Sequence, residues 1–229
     1  MSINTLRRCC KVNKFKNTLL ICVLILGLIL IFINPIQNFI IAHLSDRLNT
    51  TEYTSEDLQI NLEKEADFDF EAVQSLSITE VLKAQASIDK LPVIGSIVIP
   101  EVQLQLPILK GVGQTALAVG AGTMKPTQQL GKGNYALASH YFEGKDILFG
   151  PLYRTKIGDA IYLTDLTNIY EYKLSVKKVI EATDVYVIED TENTILTLIT
   201  CTEDGEQRLM VQADFVKQYP MNEAPEELS

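Results

Sequence analysis

Three side chains in the C-terminal half of this sequence could act together as an acyl-transfer centre. Cys201 ends the run Thr194-Ile-Leu-Thr-Leu-Ile-Thr-Cys201, His140 ends the run Asn134-Tyr-Ala-Leu-Ala-Ser-His140, and Arg208 follows the cysteine across the short polar stretch TEDGEQ. A thiol near its reference pKa is only a few per cent thiolate at neutral pH, so a nucleophilic cysteine needs a base or a cation beside it. Imidazole can supply charge and later hand a proton to a departing amine. A fixed guanidinium can stabilise an oxyanion. The chain has two histidines, and His43 sits at the edge of an apolar run, so His140 is the candidate base. Of the four cysteines, Cys9, Cys10 and Cys22 lie within or before that run, which leaves Cys201 without a disulfide partner in the rest of the chain. Taken singly, each residue has another reading: a small buried hydrophobe for Cys201, a hydrogen-bonded structural histidine for His140, and a surface arginine paired with Glu203 or Glu206 for Arg208.

The elements that must position these groups are mostly strands. From residue 93 on, eight short runs rich in Val, Ile, Thr and Tyr are separated by Gly, Pro, Asn and Asp: 93–100, 104–111, 116–124, 134–142, 160–165, 169–180, 194–201 and 208–217. The clearest is 169–180, where Tyr170, Tyr172, Leu174 and Val176 alternate with Glu171, Lys173, Ser175 and Lys177. A period of two marks a strand with one wet face. In the last run Leu209, Val211, Ala213 and Phe215 share a face, so Arg208 and Met210 point the other way. The short loop between the last two runs predicts an antiparallel pair that brings Arg208 toward Cys201. Cys201 and His140 each end a strand, where a rigid scaffold normally presents catalytic groups. The expected class is mainly β, a small closed barrel or sandwich with one short helix. That helix is predicted over 75–90, capped by Ser77 or Thr79, burying Leu76, Ile78, Val81, Leu82 and Ile88. Pro92 ends it.

The N-terminal part differs in kind. Thr18–Ile33 carries no charge, and the apolar character resumes after Asn34-Pro35 through Ile41, so a transmembrane helix over 18–42 is predicted, with a kink at Pro35. Arg7, Arg8, Lys11, Lys14 and Lys16 precede it, which puts the N-terminus in the cytoplasm. A cleaved signal peptide is the competing reading, but no small-x-small site follows the run. The expected organisation is a basic cytoplasmic segment 1–17, the anchor 18–42, an acidic extracellular linker 43–74, a catalytic domain 75–222 and a flexible tail 223–229. The formal charge is −9 with the cations gathered at the N-terminus, so the remainder is strongly acidic and lacks a nucleic-acid footprint.

Together these residues resemble a family. Thr197-Leu-Ile-Thr-Cys201 fits the TLxTC signature of sortases, with an arginine on the next strand, and Leu137-Ala-Ser-His140 is similar to the family's strand leading to its histidine. Gly120-Ala-Gly-Thr-Met-Lys125, Leu148-Phe-Gly-Pro-Leu-Tyr-Arg154 and Ile161-Tyr-Leu-Thr164 look like the class A branch, over about residues 75–218. The resemblance implies a closed eight-stranded β-barrel preceded by one N-terminal transmembrane helix. It implies an extracellular cysteine transpeptidase of Gram-positive bacteria that cleaves LPxTG-type signals between Thr and Gly. Cys201 would form the thioester, His140 would move the proton, and Arg208 would hold substrate and oxyanion. The acyl group would pass to an amine of the cell-wall precursor lipid II. Ala138, Thr200 and Ile199 are carried over as substrate-binding positions, although Ile199 also fits a plain core residue. Val185, Val187 and Ile188, in the loop Thr183-Asp-Val-Tyr-Val-Ile188, would form the apolar wall that receives the Leu-Pro part.

Some class A members bind calcium through carboxylates before the histidine strand. Here 125–133 holds Lys125 and Lys132 and no carboxylate, and Asp190 alone reads as a solvated turn residue. No metal and no other cofactor is expected. The alternatives are a pilin-polymerising sortase using a lysine amine, and a non-enzymatic, membrane-anchored binding or sensor ectodomain.

Overall fold

The computed structural model describes residues 3–49, 53–69, 77–141 and 146–225 of the 229. The chain divides into two compact units, 1–39 and 40–229. In the first, residues from Ile3 on belong to helix α1 (Ile3–Arg47), which runs through Pro35. Among the described residues, no helix is long and apolar enough to cross a membrane.

The second unit is built on a closed barrel. Its strands are β1 (Val93–Ile99), β2 (Leu104–Leu109), β3 (Ala121–Thr123), β4 (Asn134–Ala138), β5 (Ala160–Thr164), β6 (Asn168–Glu181), β7 (Ile195–Cys201) and β8 (Gln207–Pro220). They close in the order β1-β2-β3-β4-β7-β8-β6-β5. Neighbours are antiparallel except for β2 with β3 and β4 with β7, which are parallel. Closure leaves no free edge to pair with another chain.

Alternation sorts the side chains onto two faces. Tyr135, Leu137, Leu196, Leu198, Leu209, Val211 and Ala213 point into the barrel, where Tyr172 and Phe215 meet edge to face at 5.5 Å. Ala136, Ala138, Ile199 and Met210, on the other face of the same strands, form a second apolar cluster outside it.

The strand expected over 116–124 is shorter. Gln114–Leu117 forms helix α4, and only Ala121–Thr123 pairs. A short apolar run such as Ala116–Val119 is equally well buried by one helical turn, and period alone cannot distinguish the two. The helix expected over 75–90 is α3 (Ile78–Ser87), followed by a 3-10 turn; Ser77 caps it by accepting from the Glu80 N–H. Val81 and Ile88 are buried as expected, but Leu82 is 52 % exposed and Ala84 takes the inward position. Leu76, and the side chain of Ile78, lie outside the described residues. Val176 is exposed because a bulge between Leu174 and Val176 shifts the phase of β6 by one residue.

The acidic stretch after α1 also belongs to this unit. Leu48 and Leu58 are buried, and helix α2 (Ser55–Leu62) starts with a capping box between Thr54 and Asp57. Buried Asn61 donates to the Val93 carbonyl at 2.7 Å, tying α2 to β1.

Candidate active site

Three adjacent strands bring the reactive groups to one rim. β4 pairs with β7 so that Ala138 lies beside Ile199. The Ser139 N–H then donates to the Ile199 carbonyl at 3.2 Å, so the register continues and His140 arrives level with Cys201. On the other side of β7, Cys201 is the cross-strand partner of Arg208. Sulfur, imidazole and guanidinium therefore come from the ends of three neighbouring strands.

Cys201 is half-buried and its thiol is free. His140 is 6 % exposed, and its Nε2 is buried without a hydrogen-bond partner. Burial alone pushes its pKa down to about 4, because the low-dielectric surroundings disfavour the cation. The resting imidazole is therefore neutral at pH 7, and Arg208 is the fixed positive charge across from the sulfur.

Arg208 is held from behind. Its Nη1 donates to the Gly205 carbonyl at 2.9 Å and to the Gln207 carbonyl at 2.8 Å, while its buried Nε has no partner. The backbone of its own turn orients the guanidinium. That turn is tied by Thr202 Oγ1 donating to Asp204 Oδ1 at 2.6 Å and by the Glu206 N–H donating to the same oxygen.

A groove leads away from this centre. It encloses a cavity of about 250 Å3 bounded by Met124, Ile180, Val185, Val187, Ile188, Ile199 and Arg208, with Phe68 and Asp69 on the same lining. Ile199, Val187 and Ile188 are thus brought together, and Val185 stands 60 % exposed at the mouth. Ile199 faces out of the barrel, 3 % exposed in the outer cluster, and lines the groove from beneath. Ala138 packs in the cluster beneath, 2 % exposed. Thr200 does not join them: it takes the face of Leu196 and Leu198, 2 % exposed, and its hydroxyl donates to the Ser139 carbonyl at 2.8 Å. Period two forces this, since Ile199 and Thr200 cannot share a face. Thr200 braces the β4 extension that carries His140.

Several contributors were not recognisable from sequence. Asn134 is 1 % exposed; its Nδ2 donates to the carbonyls of Val187 and Glu189 at 2.8 and 3.0 Å, and its Oδ1 accepts from Thr197 at 2.7 Å. It fastens the loop that carries the apolar wall. Lys125 Nζ donates to Asp190 Oδ1 at 2.5 Å and to the Asn134 carbonyl at 2.7 Å. Asp190 is solvated, its side chain 76 % exposed, and it is also an ion-pair partner, the ammonium holding its carboxyl below the usual carboxylate range. Tyr153 donates from its hydroxyl to the Cys201 carbonyl at 3.2 Å and packs against Tyr141, ring centroids 4.7 Å apart. Phe68 had one sequence signal: Asp67-Phe-Asp-Phe70 places two aromatic rings in an acidic stretch with no other large apolar residue nearby.

Comparison with known proteins gives an independent reading. The family model described as "Sortase domain" matches residues 97–216. The chain is 45 % identical to Sortase A of Listeria monocytogenes over 191 residues, 83 % of this chain and 86 % of that one. It is 39 % identical to Sortase A of Streptococcus agalactiae over 223 residues, 94 % of this chain and 90 % of that one. Its fold is similar to the crystal structure of Listeria monocytogenes sortase A, with TM-score 0.55 and 41 % identity over 59 % of this chain and 93 % of that one.

Proposed function

The chain belongs to the sortase family, in its class A branch, and from that membership we propose how its own residues carry out the transpeptidation. Its activity is that of a sortase A-type cysteine transpeptidase, joining LPxTG-bearing proteins to the cell wall. The observation that supports the assignment of roles is the register: Cys201 opposite Arg208 on one side and level with His140 on the other.

The sorting signal lies in the groove with its Leu-Pro part against Val185, Val187, Ile188 and Ile199. Cys201 Sγ attacks the carbonyl of the Thr–Gly bond, and the thiol proton passes to the neutral His140 imidazole. Arg208 holds the oxyanion with the guanidinium N–H groups that face the groove. The imidazolium then gives its proton to the departing glycine amine, the C–N bond breaks, and a thioester remains. An amine of lipid II attacks that thioester, loses a proton to His140, and the thiol is restored. The peptide-bond energy is conserved in the thioester, so no nucleotide is consumed.

We also propose that residues 18–42 anchor the enzyme, with the N-terminus in the cytoplasm and the barrel outside. Leu19, Leu20, Val23, Leu24, Leu26, Ile31 and Phe32 are all more than half exposed on α1, a cost in water that a bilayer removes. The five preceding cations support the orientation.

The deciding experiment incubates the protein with an LPxTG peptide, with and without an added amine, beside Cys201→Ala. Mass spectrometry of the wild type should trap an acyl adduct on the peptide containing Cys201. An adduct elsewhere, or cleavage by Cys201→Ala, would end the assignment.

A further inference from the structure

The segment after α2 is moored to the barrel at the mouth of the groove. Lys110 Nζ donates to the carbonyls of Leu62 and Lys64, both at 2.6 Å. The Val112 N–H donates to the Asp67 carbonyl at 2.7 Å. Gly111, at φ +82, lies so close that a Cβ there would stand 2.4 Å from the Asp67 oxygen and 2.8 Å from Ala66 Cβ. That approach needs glycine both for the conformation and for the space. Two residues on, Asp69 turns back through its N–H to Asp67 Oδ1 at 2.9 Å. Phe68, between them, is half-buried and lines the cavity with Met124, Val185 and Ile188.

A segment that excluded substrate would fill this space. Here the ring stands beside it, and about 250 Å3 stays open between Phe68 and the outer face of the barrel. We infer that Phe68 is a specificity-determining wall of the substrate groove, contributed by the segment before the catalytic barrel, and that it contacts the apolar first positions of the sorting signal. The inference rests on the proposed function of this groove. It adds a chain segment, moored by Lys110, Gly111 and Val112, to a surface otherwise made by β7, the loop after β6, and Met124, Ile180 and Arg208 beside them.

The physical consequence is a binding effect more than a chemical one. Phe68 shares the groove lining with Met124, Val185 and Ile188, and its loss removes contact with the signal equally in ground and transition states. That raises KM and leaves kcat. Removing a ring from an apolar pocket should also weaken its preference for leucine over a smaller side chain.

The test uses the full-length protein, an LPxTG peptide, and the same peptide with alanine at the leucine position. Phe68→Ala should raise KM for the first peptide about tenfold, with kcat within about twofold, and reduce the discrimination between the two peptides. Phe68→Leu should recover most of both. The KM for the added amine should not move, which a general structural defect would not spare. Should Phe68→Ala fail to fold, Lys110→Met loosens the mooring from outside the groove and should raise the same KM. An unchanged or higher kcat/KM in Phe68→Ala, the latter being the result for a segment that blocks the groove, would overturn the inference. A wild-type protein that never acylates Cys201 would remove the function itself, and the inference with it.

Discussion

Cys201 and Arg208 are cross-strand partners, the last residue of β7 against the second residue of β8, and both lie on the outer face of the barrel. The turn between them fixes the arginine through Gly205 and Gln207 carbonyls and leaves Nε without a partner. A buried unpaired donor is costly unless something binds it, and under the proposed function an oxyanion or substrate carbonyl would be that partner.

Replacing this guanidinium should therefore harm the reaction far more than the fold. Arg208→Met should lower kcat about 100-fold or more, the range for losing a preorganised oxyanion donor. Arg208→Lys should recover only a small part, because an ammonium cannot reproduce the planar fork. Steady-state peptide cleavage and a thermal melt check both points. A loss under about threefold would exclude the role.

His140 makes stability depend on pH. Its folded pKa of about 4 lies below the unfolded value of 6.5, so the unfolded chain takes up a proton first as pH falls. The stability tied to the neutral imidazole is complete above pH 6.5 and is lost as pH drops toward 4, by up to roughly 3 kcal/mol. His140→Gln should lack this component. Urea unfolding of both proteins at pH 7 and pH 4.5 measures it, and identical pH profiles would contradict the burial argument.

Lys125 should act on the groove through the loop it holds. Lys125→Met frees Asp190 and removes a donor from the Asn134 carbonyl. The amides of Val187–Glu189 should exchange hydrogen faster, and KM for the sorting peptide should rise several-fold with kcat nearly constant. Calcium should not restore it, because Asp190 alone offers too few oxygen ligands. Wild-type KM should drift in the same direction at high salt, which screens the exposed side of the pair.

Asn134 is the costlier anchor. Asn134→Leu leaves the carbonyls of Val187 and Glu189 without their donor and Thr197 Oγ1 without its acceptor. Buried polar groups stripped of partners cost about 1–3 kcal/mol each, so a loss of about 2–4 kcal/mol is expected in urea unfolding. A loss under 1 kcal/mol would mean that water reaches this site.

The sequence by itself determined which groups could react and the class of fold. One free thiol and one histidine beyond the apolar run, each ending a β-patterned stretch, were visible as residue types at positions. The strand periods that predicted a barrel depend on local side-chain alternation, which each segment carries within itself. The inward face of β8, with Leu209, Val211 and Ala213, follows from alternation for the same reason.

Tertiary structure decided whatever depends on which segments meet. Leu82 and Ala84 could be exchanged between wet and dry faces until the helix met its neighbours. In the sequence Ile199 has two possible faces and Thr200 is expected in the groove; one register on β7 turns the first outward and the second inward. Lys125 and Asp190 are 65 residues apart, and Asp67 and Val112 are joined by a single backbone bond. No local pattern encodes such pairs. They follow from barrel closure and strand register, which are set by the whole chain burying its apolar surface at once.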